Sequence, residues 1–178
     1  MTDTYQTIIT KRDTRKFDGR AIPDDVLNRL VQAARMAGSA KAAEPVRLIL
    51  VRDQAQKNAV AKCGQFTPHI PTCSVAAVFV LVPEFGEVGA PFTLFRGPFD
   101  AGRAAQNLML AAWSEGIASC PASMHHEAKA REVLNLPPGH VVANVIALGY
   151  PATEQDATTG TRPRMPVDDF VFHERWGA

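Results

Sequence analysis

Residues 100–115 read DAGRAAQNLMLAAWSE, and their character changes half-way along. Asp100 stands where a helix N-cap would, and Arg103, Gln106 and Asn107 are polar. From Leu108 to Trp113 every position is apolar, and Gly116 supplies a stop. A helix that is apolar all round must be covered all round. In a chain of 178 residues this predicts a central helix with a second subunit over one of its faces.

Working outward from that helix, SVAAVFVLVP (74–83) and HVVANVIALGYP (140–151) are apolar on both faces, the pattern of strands central in a sheet. VRLILVRD (46–53) lies between Pro45 and Asp53 and reads as a half-buried strand, followed by a short helix over 54–62. IPDDVLNRLVQAARMAGS (22–39) carries the clearest helix. Pro23 suits its first turn, Asp24 and Asp25 meet the positive end of the dipole, and Gly38 can end it. Its apolar stripe is Val26, Leu27, Leu30, Val31 and Ala34. YQTIITKR (5–12) predicts a helix capped by Asp3 or Thr4, and HHEAKAREVLNL (125–136) one ended by Pro137 and Pro138, with 120–123 as a connector. There is no steady βαβ rhythm, internal repeat or linker. The expectation is one α+β domain over 1–178, with 152–178 as an extended arm whose Phe170, Phe172 and Trp176 need something to pack on.

A hydrophobic content of 46% over this length can supply a core without a disulfide or metal staple. Nineteen Lys and Arg against eighteen Asp and Glu leave no global field to recruit nucleic acid or an anionic membrane, so neither partner is expected. Cys63, Cys73 and Cys120 are odd in number and lack CxxC pairing, which argues against a disulfide framework or zinc site and for a reducing, cytoplasmic setting. The longest apolar run, Val75 to Val82, is too short for a bilayer, and no basic-then-apolar leader follows Met1. Neither GxxxxGK[ST] nor GxGxxG occurs, so no glycine loop is available for a nucleotide; HExxH and GxSxG are absent too. No catalytic side chain and no metal ligand set emerges, and Cys120 reads as a small hydrophobe.

What remains is charge in two places. KRDTRKF (11–17) sets Lys11, Arg12, Arg15 and Lys16 close together, and TRPRMP (161–166) sets Arg162 and Arg164 in a proline-bounded loop. Arginine presents planar paired donors to phosphate oxygens, and a phosphomonoester carries about −1.5 to −2 charges at neutral pH, enough to hold several cations together. The other reading is a solvated basic turn paired with Asp13 and Asp18. The residues alone leave both open.

The order KRDTRKF, AGSAKAAEPVRLILV, FDAGRAAQNLMLAAWSEGIASC, LNLPPGHVVANVIALGYP, TRPRMPVDDFVFHERWG resembles the FMN-dependent nitroreductase family over nearly the whole chain. The resemblance implies an α+β nitroreductase-like fold: a central mixed, mostly antiparallel sheet flanked by helices, in an intertwined homodimer with two FMN sites at the interface. Lys11, Arg12, Asp13 and Arg15 match the family's first basic motif, and Arg162 and Arg164 its late pair. Lys11, Arg162 and Arg164 would clamp the phosphate and Arg15 would lie near the pyrimidine edge of the ring. A cation about 4 Å from the charge that reduction leaves there is worth up to about 4 kcal/mol at an effective dielectric near 20. Pro121 and Ala122 would offer backbone to the flavin face.

The implied activity is hydride transfer from NADH or NADPH through flavin N5 to a small flat electrophile, a nitroaromatic, quinone or activated alkene, by a ping-pong scheme. Two alternatives stay open: specialised flavin chemistry such as dehalogenation or flavin cleavage, and a dimeric binding protein that has lost redox activity. The chain also departs from the family. Where the family reads Ser-x-x-Asn-x-Gln-Pro-Trp, this sequence has Ser39, Ala40, Lys41, Ala42, Ala43, Glu44, Pro45 and Val46, so Ala42 replaces the asparagine, Val46 the tryptophan, and Lys41 is the candidate replacement contact. Asp13 stands where the basic motif usually has serine, and its carboxylate would repel a phosphate unless neutralised.

Overall fold

The structure is a computed structural model that describes residues 3–83, 93–154, 156 and 163–177. In chain order the elements are α1 (Thr4–Thr10), α2 (Asp24–Arg35), a 3-10 turn (Ala40–Ala42), β1 (Val46–Val51), α3 (Gln54–Ala61) and β2 (Val75–Leu81). They continue with α4 (Thr93–Ser114), β3 (Ala118–Ala122), α5 (Glu127–Val133), β4 (Val141–Gly149) and the single turn α6 (Val167–Phe170). The four strands pair in the order β1-β2-β4-β3, antiparallel throughout. Among the described residues the parallel component is confined to an isolated bridge between Asp13 and Ser119.

The two-faced strands are central, as their sequence requires. Alternation along β2 sends Ala77 and Phe79 to one face and Ala76, Val78 and Val80 to the other, and β4 divides Ile146 and Leu148 from Val145 and Ala147 in the same way. One face packs against Leu27, Leu30 and Ala34 of α2 and Leu108 and Ala112 of α4. The opposite face packs against Val60 of α3, Ile70 and Cys73.

Three expectations need correction. Helix α4 begins at Thr93, so Asp100 lies inside it and caps a different element: its Oδ2 accepts the Ala40 N–H at 3.2 Å. Helix α2 stops at Arg35, ahead of Gly38. That glycine instead makes room for a side chain, because a Cβ there would sit 2.6 Å from Arg103 Nη2. Residues 118–122 form a strand and not a connector; Pro121 is tolerated because β3 is at the sheet edge. The apolar girdle of α4 is also largely covered within the chain. Leu108, Met109 and Ala112 are buried against α2 and the sheet, Leu110, Ala111 and Trp113 are half-buried, and Trp113 Nε1 donates to Thr10 Oγ1 at 3.1 Å. Part of the girdle thus remains only partly covered within the chain. Large uncovered apolar surface lies instead on residues 163–177, where Phe170 is 75% and Trp176 86% exposed.

Candidate active site

The cationic stretch 11–17 follows α1, whose first turn is capped by the Asp3 carboxylate. Backbone bonds then thread it between the β3 edge and residues 150–152: Thr14 N to Ser119 O (3.0 Å), Asp18 N to Tyr150 O (3.0 Å) and Ala152 N to Lys16 O (3.1 Å). Thr14 points inward, 1% exposed, and its Oγ1 donates to Asp156 O at 2.8 Å. Phe17 is half-buried against Gly149, where a Cβ would come within 2.8 Å of its ring. With Thr14 and Phe17 turned in, Asp13, Arg15 and Lys16 are left facing out.

They face a cleft of about 1080 Å³. Its walls include Lys11, Arg12, Asp13, Arg15 and Lys16 from the first stretch, Gln106 and Met109 from α4, Pro121 from β3, and Arg164 from the second stretch. The two ends of the chain thus meet across one opening. Five cations against two carboxylates, Asp13 and Asp156, leave three net positive charges on the lining. Lys11 pairs with Asp13, and Lys16 with Asp156 at 3.4 Å. Arg12 is spent on backbone, its Nη1 donating to Ile9 O (2.9 Å) and Lys11 O (2.8 Å). Among the described residues Arg15 and Arg164 make no ion pair, so their charge is available to a ligand.

Behind this wall the environment favours the neutral forms of Cys120 and His69. Burial pushes the Cys120 thiol up against the opposing pull of Arg15, so it is a packing residue and not a nucleophile. Burial pulls the His69 imidazole down, and the Arg15 charge pulls it further; both ring nitrogens lack partners among the described residues. The Asp156 carboxyl is held low, first by the Thr153 hydroxyl and then by Lys16.

Of the residues named from sequence, Lys11, Arg12, Asp13, Arg15, Pro121 and Arg164 share this cleft. Ala122 is the buried neighbour of Pro121, its side chain in the core. Lys41 and Ala42 lie elsewhere, exposed on the 3-10 turn with φ of 56° and 53°, and line no part of this cleft. Arg162 is outside the described residues. Gln106 and Met109 were not singled out by sequence reasoning; their spacing of three on α4 puts them on one helix face, a signal that was available. Among the described residues no group of His, Cys, Asp or Glu is placed to hold a metal, and no helix is long and apolar enough to cross a membrane.

The Nitroreductase family profile matches residues 8–150, which takes in the first basic stretch, all four strands and α4. The chain belongs to the nitroreductase family. A Vibrio harveyi protein named NADPH-flavin oxidoreductase is 28% identical over 98% of this chain and 74% of its own length. Two solved structures share the fold. Nitroreductase A of Vibrio parahaemolyticus superposes with a TM-score of 0.91 at 24% identity, covering 100% of this chain and 78% of its own. The NADPH:FMN oxidoreductase of Vibrio harveyi, solved with NAD+, gives 0.88 at 24% identity over 98% and 78%. The family match thus takes in the sheet and the first basic stretch, and it ends before Arg164.

Proposed function

We propose that the protein passes a hydride from NADH or NADPH through bound FMN to a small flat electrophile, in a ping-pong scheme, and does so as a homodimer. Family membership carries the coarser part: the chain is an NAD(P)H-dependent oxidoreductase that uses FMN. The donor set fits that cofactor. Its phosphomonoester, at about −1.5 to −2 charges, meets a lining three charges positive with Arg15 and Arg164 unengaged. Met109, Pro121 and Ile8 give the same opening an apolar side suited to a flat ring.

When bound, FMN supplies two-electron acceptance and donation at N5. The chain supplies position and field. Lys11, Arg162 and Arg164 would hold the phosphate, Arg15 would stabilise negative charge that reduction leaves on the ring, and the backbone at Pro121 and Ala122 would support the ring. Lys41 and Ala42 do not line this cleft, so their contact with a flavin is assigned to the turn of a second copy in the homodimer. The exposed apolar residues of 163–177 are suited to holding one. The arrangement across the cleft, with basic groups from both chain ends on one opening, is the observation that carries the reading.

The test is the visible spectrum of the purified, FMN-titrated protein before and after anaerobic NADH and then NADPH, with its mass in solution measured by light scattering. Oxidised flavin bands that bleach, on a particle of twice the chain mass, support the proposal. A colourless protein that takes up no FMN refutes it.

A further inference from the structure

Inside the cationic cleft the Lys11 ammonium already has an anion. It is paired with the Asp13 carboxylate, two residues along the same stretch, and lies 3.6 Å from Met109 Sδ. The partners are not equally placed. The Lys11 side chain is 10% exposed, packed beside α4, whereas Asp13 is 43% exposed at the rim. Asp13 can therefore turn into water at small cost, but a bare Lys11 cannot, because an ammonium stripped of both water and counter-charge is strongly disfavoured. Asp13 is also held by its backbone, not its carboxylate, in the bridge to Ser119, so its side chain can leave without undoing the fold.

We infer that Asp13 is an internal counter-anion that competes with the ligand phosphate for Lys11, and that this competition sets how tightly and how selectively the cleft retains FMN. The inference rests on the proposal that the cleft takes the FMN phosphate. Two consequences follow from the charges. A dianionic phosphate ester can displace the single carboxylate, whereas a ligand without the phosphate leaves the Lys11–Asp13 pair intact. The displaced Asp13 stays at the rim as a like charge, which shortens residence and makes the flavin exchangeable.

The experiment compares FMN with riboflavin, which has the same ring and no phosphate. Flavin fluorescence quenching gives the affinity of each for wild type, Asp13→Asn, Asp13→Ser, Lys11→Met, the Lys11→Met/Asp13→Asn double variant and Arg164→Ala. Asp13→Asn and Asp13→Ser should bind FMN about tenfold more tightly, which is about 1.4 kcal/mol. Riboflavin affinity should be unchanged, and the gain should shrink as salt is raised. In the Lys11→Met background the Asp13→Asn gain should fall away, as expected when one residue acts through the other. A merely structural Asp13 would move both flavins alike and overturn the inference. If Asp13→Asn leaves FMN affinity unchanged while Arg164→Ala weakens it, the counter-anion idea fails and the phosphate reading stands. If neither variant alters the preference for FMN over riboflavin, both fail.

Discussion

Gly149→Ala should loosen the candidate site from a distance. A Cβ at position 149 would stand 2.8 Å from Phe17 Cδ1, 3.1 Å from its Cγ and 3.2 Å from its Cβ, against an ordinary carbon contact of about 3.5–4.0 Å. Turning χ1 clears the first two atoms but not the third, so the backbone at Phe17 must move by several tenths of an ångström. That backbone is pinned on both sides, by Asp18 N to Tyr150 O (3.0 Å) and Ala152 N to Lys16 O (3.1 Å). Overpacking of this kind costs about 1–3 kcal/mol. For a chain of this size each kcal/mol lowers Tm by roughly 2–4 °C, so about 6 °C is expected at the middle of the range. Phe17 also carries its neighbours Arg15 and Lys16 on the cleft wall, so FMN affinity should fall with stability. The assays are thermal unfolding and flavin fluorescence quenching, on Gly149→Ala, Phe17→Ala and the double variant. Removing the ring abolishes the two shortest contacts and leaves only the one to Cβ at 3.2 Å, so the double variant should be less destabilised than the two single losses added together, by roughly 0.5–3 kcal/mol. A Gly149→Ala protein with wild-type Tm and wild-type FMN affinity, or strictly additive losses, would refute the reasoning.

Asp53→Ala removes the carboxylate that accepts Gln56 N at 2.8 Å and caps α3, and should cost about 1 kcal/mol in urea unfolding. Cys73 is fully buried, and its thiol is pushed from an ordinary value of 9.0 up to about 11, first by desolvation. The folded state thus holds a proton that the unfolded state releases. Its stabilising contribution is complete below pH 9.0 and is lost as pH rises towards about 11, a slope that Cys73→Ala should reduce in reducing buffer. Ala42 sits at φ 53°, where a side chain is strained by about 1–2 kcal/mol, so Ala42→Gly should raise the stability of the ligand-free protein by about 0.5–1 kcal/mol. Unchanged unfolding midpoints would count against each.

The elements legible from sequence were those whose burial pattern is carried by their own residues. The segments 74–83 and 140–151 are apolar on both faces, and only a central strand gives both faces a covering. The α2 stripe of Leu27, Leu30 and Ala34 is likewise a property of the segment itself. What was not legible depends on partners far along the chain. Asp100 looks like the cap of its own helix, but its acceptor serves Ala40, 60 residues away. Gly38 looks like a helix stop, and its small size answers to Arg103. Pro121 looks like a loop because proline cannot enter a central ladder, and nothing local says that its strand is an edge. The site divides along the same line. Residues 11–17 advertise an anion partner by charge density alone, whereas Gln106 and Met109 become wall residues only because α4 passes beneath that stretch. Lys41 and Ala42 were named from a family motif, and within one chain the fold keeps them apart from the cations.

The position of the cleft follows from the way β3 ends the sheet. A free edge would ordinarily offer a row of donors and acceptors to another strand. Here Pro121 has no N–H to offer, and the Ser119 carbonyl is taken by Thr14 N, so pairing with residues 11–17 stops after the single Asp13–Ser119 bridge. The chain is held against the sheet without becoming part of it, and the charged neighbours of Thr14 turn out from the edge instead of lying flat along a ladder. Thr14 Oγ1 then reaches past the sheet to the carbonyl of Asp156, bringing in the segment that leads to the second basic stretch. One buried threonine thus fastens residues 142 positions apart at the same point, which is why cations from both ends of a chain with a net charge of +1 converge on one opening. A cleft made this way owes its charge to the failure of an edge strand to extend, and filling that edge with a regular partner strand would remove the site while leaving the core as it is.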